Sequence, residues 1–247
     1  MKTLVVIPTY NEAANVGDIL KKTLSVLDGD ILVVDDNSAD GTKEIVNGFL
    51  DTGRVFMLER PAKLGLGTAY VAGFQWGLRN GHDLFFEMDA DNSHNPASLP
   101  SFVEKIKEGY DTVVGSRYLN HTISVVGWDF RRLLISKFGN WYASTLLGLK
   151  QFTDLTSGYR CYNRNTLEAI GLKKIRSNGY AFQIEMVYRA YKKGLKLAEI
   201  PIIFYERGGG GSKMSRAIVR EAVLLPFKLR LENMLGKLNE KSILTIY

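Results

Sequence analysis

Short apolar runs separated by amphipathic stretches fill the first half of this chain and leave few architectures open to it. Leu4-Val5-Val6-Ile7, Ile31-Leu32-Val33-Val34, Val55-Phe56-Met57-Leu58, Leu84-Phe85-Phe86-Glu87-Met88 and Thr112-Val113-Val114 read as buried strands. The segments between them, near 13–27, 41–51, 66–80 and 97–108, carry helical periodicity. Strands alternating with helices in this way predict an α/β fold with a mostly parallel sheet covered by helices. Ligands of such sheets bind beyond the carboxyl ends of the strands. The residues that follow each run are therefore the informative ones.

After the first run comes Pro8-Thr9-Tyr10-Asn11-Glu12, and after the second Asp35-Asp36-Asn37-Ser38-Ala39-Asp40-Gly41-Thr42. The fourth leads into Asp89-Ala90-Asp91-Asn92-Ser93-His94-Asn95-Pro96, and the fifth into Gly115-Ser116-Arg117-Tyr118. Polar chemistry gathers at one edge of the expected sheet. Beyond residue 127 a basic, aromatic helical stretch runs from Asp129 to Leu149. Asp154 to Arg164, a helix near 180–193 and a strand-like Glu199–Phe204 follow it. The glycine run 208–211 is expected to be a mobile loop, and a last amphipathic helix to span about 215–235. No linker divides the chain, so we expect one domain over 1–235, a nucleotide half at 1–115 and an acceptor half at 116–235, and a tail at 236–247.

With 247 residues, 45% of them hydrophobic and 23% charged, the chain can build a core without staples. Its single cysteine, Cys161, has no partner for a disulfide, which is natural in a reducing compartment. Against 26 acidic residues stand 32 basic ones, a net charge of +6. That surplus fits nucleic acid, a phosphate-bearing ligand, an anionic membrane surface or plain solubility. No recognisable nucleic-acid module is present. No signal peptide is evident at the start, and no segment reaches the roughly 20 apolar residues of a membrane span.

Asp89 and Asp91 form the sharpest pair. Residues i and i+2 of an extended chain project to one side, so both carboxylates can reach one cation. Oxygen ligands suit Mg2+ or Mn2+; the alternative is a solvated turn rich in Asp and Asn. Asp35 and Asp36 can receive hydrogen bonds from a base or ribose, while Ser38 or Asp40 caps the next helix. Lys63 to Ala69 reads as a glycine-rich turn opening a helix toward a phosphate, though without P-loop or G-x-G-x-x-G spacing. Arg117, Arg131, Arg207 and Lys213 are candidate phosphate grips or surface charges. His94, beside Asn95-Pro96, reads as a turn or packing residue, and Cys161 as a small buried hydrophobe.

Together and in this order the motifs resemble family 2 glycosyltransferases. The segments 8–12, 35–42, 63–70, Asp89-Ala90-Asp91 with Ser93-His94 and Pro96, and 115–118 carry the likeness. Asp154-Leu155-Thr156-Ser157-Gly158-Tyr159-Arg160 and Phe204-Tyr205-Glu206-Arg207, with Gly210, Ser212 and Lys213, resemble the dolichol-phosphate mannose synthase branch. The similarity covers roughly residues 3–215. It implies a GT-A fold and inverting, metal-dependent transfer of mannose from GDP-mannose to a polyprenyl phosphate.

Carried over by position, Pro8, Tyr10 and Glu12 line the nucleotide pocket, with Asp36 near the base or ribose and Lys63, Gly67 and Ala90 beside them. Asp89 and Asp91 hold the divalent metal. Arg117, Arg131 and Ser136 grip the acceptor phosphate, and Arg207 and Lys213 belong to a loop that closes over the diphosphate. Position 93 is Ser where some members place a metal-ligating Gln, which leaves a third ligand open. The acceptor implies work at a membrane surface, peripherally on its cytosolic face, with or without an anchoring subunit.

A phosphate monoester is already largely dianionic at pH 7, its second pKa being about 6. No general base is required, and Asp154 is expected at most to orient. Trp128, Phe130, Arg131, Arg132, Phe138, Trp141 and Tyr142 either form an interfacial helix for the lipid or pack into the core. Another sugar nucleotide such as UDP-glucose, or a non-catalytic binding subunit, are the competing readings.

Overall fold

The computed structural model describes residues 1–175, 177–206 and 216–236. The expected alternation runs β1 (Thr3–Thr9), α1 (Ala13–Val26), β2 (Asp30–Asp35), α2 (Thr42–Asn47), β3 (Val55–Glu59), α3 (Leu66–Arg79), β4 (Leu84–Glu87), α4 (Leu99–Lys107) and β5 (Thr112–Ser116). The second half adds β6 (Val125–Val126), α5 (Phe130–Leu147), β7 (Arg160–Asn163), α6 (Arg164–Ile170), α7 (Gly179–Lys192), β8 (Leu197–Pro201), β9 (Phe204–Tyr205) and α8 (Arg216–Met234).

The main sheet has the strand order β3-β2-β1-β4-β7-β5-β8, and β6 pairs with β9 in a small second sheet. Every pair is parallel except those of β7, which runs against both β4 and β5. The expected parallel sheet is present, with this one reversed strand wedged into it. Reversal has a consequence for the site. The carboxyl ends of the parallel strands and the amino end of β7 share one edge, so the segment before Arg160 arrives beside Asp89 and Arg117. The single strand expected over 199–204 is two. β8 ends at Pro201, which has no N–H to extend a ladder, and the chain crosses to β6.

Strand parity sorts the core. Val5, Ile7, Ile31 and Val33 face α1 and α4, where Val16, Ile19, Leu20 and Phe102 pack on them. Leu4, Val6, Leu32 and Val34 face the opposite side, toward Tyr70 and Phe74 of α3 and Phe182 and Met186 of α7. A third cluster joins Ala143 and Leu147 of α5, Ile184 and Val187 of α7, and Leu225 and Leu229 of α8.

Two glycines one helical turn apart let α3 lie directly on the sheet. A methyl group at Gly73 would come within 2.5 Å of Val6 Cγ1, and one at Gly77 within 2.5 Å of Leu4 Cδ2 and 2.7 Å of Phe85 Cε1. Val6 is β-branched and fully buried, so it has no alternative rotamer to yield into. Gly73→Ala therefore overpacks the interface at a cost of about 1–3 kcal/mol, against a helix-propensity gain of about 1 kcal/mol. We expect a lower urea midpoint with an unchanged denaturant slope.

Candidate active site

The turns at the sheet edge are tight because asparagine accepts the left-handed backbone. Asn11, Asn37 and Asn92 sit at φ 58°, 60° and 61°, each just past a strand end. They fold polar residues back over the edge and open a cleft of about 640 Å3. Pro8, Tyr10, Glu12, Asp36 and Lys63 line one side of it, Asp89, Ala90 and Asp91 the floor, and Arg117, Trp128, Arg132 and Thr156 the other side.

On the first side the two adjacent aspartates part company. Asp35 is fully buried and accepts hydrogen bonds from Thr9 Oγ1 (2.8 Å), Ser38 N (2.8 Å) and Ser38 Oγ (2.6 Å), so it stitches the β1 and β2 turns together. Asp40 accepts from Thr42 N (3.1 Å) at the start of α2 and from Ala13 N (3.0 Å). Asp36 reaches the cleft wall. It pairs with Arg60 and accepts from Leu64 N at 3.1 Å. Arg60 in turn donates to Thr68 Oγ1 (2.7 Å) and to Gly65 O (3.2 Å), which fixes the turn into α3. The Lys63 ammonium stands 4.1 Å over the Tyr10 ring. Gly67 is not on the cleft wall. A methyl group there would lie 2.5 Å from the Ser177 carbonyl oxygen, so its glycine lets α3 abut the segment before α7.

Asp89 and Asp91 follow β4 as an i, i+2 pair of oxygen donors. Tyr70 donates its hydroxyl to Asp89 Oδ1 at 3.2 Å, and Ser93 N donates to Asp91 Oδ1 at 3.1 Å. The donor chemistry fits a hard divalent cation that leaves positions open for phosphate oxygens. Among the described residues no group of three or more His, Cys, Asp or Glu side chains is placed to hold a metal. Ser93 is buried, does not line the cleft, and its carbonyl accepts from Tyr205 N. His94 packs as expected, stacked on Tyr159 with centroids 4.8 Å apart. It also does something the sequence does not announce: its Nδ1 accepts the Asp89 N–H at 3.2 Å. Burial lowers the His94 pKa to about 4, so the ring is neutral at pH 7 with its proton on Nε2.

Beneath this floor lies a buried polar cluster. Arg160 of β7 pairs in register with Glu87 of β4. Its guanidinium donates to the carbonyls of Ser157 (2.8 Å), Gln183 (2.6 Å) and Leu155 (2.7 Å). Gln183 donates to Glu87 Oε2 at 2.6 Å. Burial raises the Glu87 pKa to about 7 against the pull of Arg160.

The second side is built around Arg117. Its Nε and Nη2 donate to Asp154 Oδ2 (2.6 Å) and Oδ1 (2.7 Å), and Nη2 also donates to Thr156 Oγ1 (2.8 Å). The rings of Tyr118, Trp128 and Phe204 enclose the guanidinium at 5.2–5.6 Å. Asp154 is held from behind, since Glu199 accepts the N–H groups of Thr153 and Asp154. Of the neighbouring arginines on α5, Arg132 lines the cleft, 4.4 Å over Trp128 and paired with Glu206 at 2.7 Å. Arg131 is exposed and off the cleft. Ser136, one turn beyond Arg132, accepts the Tyr118 hydroxyl at 2.7 Å and is also off the cleft wall. Arg207 and Lys213 lie outside the described residues, as do the glycine run and positions 237–247.

Sequence reasoning did not name Arg60, Asn178, Tyr180 or Gln183 and read Arg132 only as part of the basic, aromatic helix, although all but Arg60 line the cleft. The only available signal was for Arg132, four positions before Ser136 and so on the same helix face. Beside the cleft α5 exposes Phe130, Phe138 and Trp141 at 71%, 64% and 61%. These three are not core, and α8 continues the face with exposed Phe227, Leu231 and Met234. Tyr142 joins the two helices through a 2.8 Å bond from its hydroxyl to Val223 O. No helix among the described residues is long and apolar enough to cross a membrane.

Burial would raise the Asp154 pKa, but Arg117 and the surrounding N–H donors hold it below its ordinary 3.8. A depressed carboxylate stabilises the fold fully above pH ~4, and this is lost as pH falls through the lowered folded value. Asp154→Asn strands the buried Arg117 charge and should cost about 3–5 kcal/mol at pH 7. Denaturant melts from pH 7 to 2.5 should show that cost, and a shallower acid loss than in the parent.

Comparison with known proteins agrees with this geometry. The family described as Glycosyl transferase family 2 matches residues 4–171. A polyprenol monophosphomannose synthase of Mycolicibacterium smegmatis is 44% identical over 225 residues, covering 90% of this chain and 84% of that protein. An undecaprenyl-phosphate mannosyltransferase of Micrococcus luteus is 44% identical over 226 residues, covering 91% and 92%. Among solved structures, glucosyl-3-phosphoglycerate synthase of Mycobacterium tuberculosis with Mn2+, UDP and glucosyl-3-phosphoglycerate superposes with a TM-score of 0.64. Its identity is 18%, covering 98% of this chain and 81% of that one, a likeness of GT-A fold. A fold of this kind, the matched family segment and two relatives along most of its length make this chain a glycosyltransferase of family 2.

Proposed function

We propose that the chain transfers mannose from GDP-mannose to a polyprenyl monophosphate at a membrane surface, with inversion at C1 and a divalent cation. The observation that carries the reading is one cleft lined by a carboxylate pair, Asp89 and Asp91, and by two arginines, Arg117 and Arg132. Carboxylates suit the cation of a nucleotide diphosphate, and guanidinium groups suit a second phosphate. The names of the two 44% identical relatives point to the same acceptor class and sugar.

The nucleotide half lies against Pro8, Tyr10, Asp36 and Lys63, with Asp36 oriented by Arg60. The acceptor phosphate sits between Arg117, presenting the edge that Asp154 and Thr156 do not occupy, and Arg132. As a dianion it attacks C1 from the face opposite the departing diphosphate, with no side chain removing a proton. A cation held by Asp89 and Asp91 supplies Lewis acidity and charge screening to the leaving group. Arg117 is desolvated by three aromatic rings, which strengthens its interaction with a phosphate brought alongside. The apolar face of α5 and α8, rimmed by Arg131, Lys137, Arg220 and Lys228, lies on an anionic bilayer and feeds the lipid toward Arg132.

Purified protein with GDP-mannose, polyprenyl phosphate and Mg2+ should form lipid-linked mannose, and Asp91→Ala should abolish it. Formation of product only from UDP-glucose would assign another donor; no product with any sugar nucleotide would refute the enzymatic reading. Arg132→Ala removes a charged contact worth about 1.5–3 kcal/mol, so kcat/KM for the acceptor should fall about 10–100-fold. Arg131→Ala should stay within about twofold, as expected of an exposed side chain. Phe138→Asp should weaken flotation with anionic vesicles and leave the binding of soluble GDP intact.

A further inference from the structure

Asp89 is the more exposed of the two floor carboxylates, its side chain 28% accessible at the cleft. A short side chain in that position rotates unless something holds it. One group that does so comes from another element. Tyr70 of α3 is fully buried and stacked between Phe74 and Phe182, with ring centroids 6.1 Å and 6.0 Å away. Its hydroxyl donates to Asp89 Oδ1 at 3.2 Å.

Tyr70 is a fixed reference point because α3 itself cannot slide. Gly67 abuts the Ser177 carbonyl, Gly73 rests on Val6, and Gly77 rests on Leu4 and Phe85. The backbone of Asp89 is fixed independently by His94 Nδ1. Tyr70 thus holds one oxygen of the carboxylate while His94 holds the main chain and stands 4.0 Å from Oδ2.

We propose that Tyr70 is a positioning residue for the divalent cation, its hydroxyl fixing the rotation of the Asp89 carboxylate in the geometry the cation requires. This inference rests on the assignment of Asp89 as a metal ligand in the proposed function. Groups that hydrogen-bond a ligating carboxylate fix its orientation, and their removal costs about 10–100-fold in metal affinity or activity. Tyr70 is buried and does not line the cleft, so its effect on a bound cation passes through Asp89.

The test is Tyr70→Phe in the full chain, with Mn2+ titrated in the presence of GDP and free Mn2+ followed by electron paramagnetic resonance. Mn2+ affinity should fall about 10–100-fold, and the Mg2+ concentration for half-maximal rate should rise by a similar factor, with excess Mg2+ recovering the rate. Metal-free GDP affinity and the thermal midpoint serve as structural readouts and should not move with it. In an Asp89→Asn background the same substitution should produce no further loss of Mn2+ affinity, because coupled residues are not additive.

Unchanged Mn2+ affinity in Tyr70→Phe overturns the inference. So does an equal loss in the Asp89→Asn background, which would mean that Tyr70 acts by packing. Absence of Mn2+ binding by the parent protein with GDP would instead remove the metal assignment itself, and this inference with it.

Discussion

Arg160 has no contact with solvent, yet two separate parts of the chain meet on its guanidinium. Its donors reach the carbonyls of Leu155, Ser157 and Gln183, so the turn before β7 and the helix α7 share one anchor. Buried backbone carbonyls need partners, and here a side chain supplies them to the turn carbonyls of Leu155 and Ser157, which lie outside any ladder or helix. The turn so fixed carries Asp154 and Thr156, which hold Arg117. Half of the cleft is thus positioned by a cation that never touches it.

Such an anchor works only because β7 is reversed. An arginine at the amino end of an antiparallel strand lies at the same edge as the carboxyl ends of β1, β4 and β5, and its in-register neighbour is Glu87. Glu87 is desolvated enough to titrate near neutrality, and it lies two residues from Asp89. Charge beneath the floor and charge on the floor are therefore neighbours. A buried polar cluster of this kind is weak evidence for stability and better understood as fixing one arrangement among several.

The strands, the helices and the polar edge were legible in the sequence because each is a local periodic pattern. Asp36, Asp89, Asp91 and Arg117 could be placed at the cleft because they follow such strands directly. What could not be read depends on contacts distant in sequence. β7 spans only Arg160–Asn163 and begins with a charge, too short for periodicity to register. Asp35 and Asp36 look alike until Thr9 and Arg60 are brought to them from elsewhere. Gly67 reads as a phosphate-facing glycine, whereas its close neighbour is Ser177, over a hundred positions away. Arg131 and Arg132 differ by a rotation of about 100° around α5, and only the packing of that helix decides which one meets the cleft.

Trp128 ties the polar cleft to the apolar face outside it. Its ring packs against Arg117 and Arg132 at 5.2 Å and 4.4 Å, two residues before Phe130 opens the exposed stripe of α5. On the proposed function, the two substrates then approach in different dimensionalities. The nucleotide sugar arrives from bulk solution over the strand ends, whereas the lipid arrives laterally, within a plane, past a single aromatic side chain. Turnover would follow the surface density of the acceptor rather than its amount per volume, and the product would leave by the same lateral route without its chain entering water.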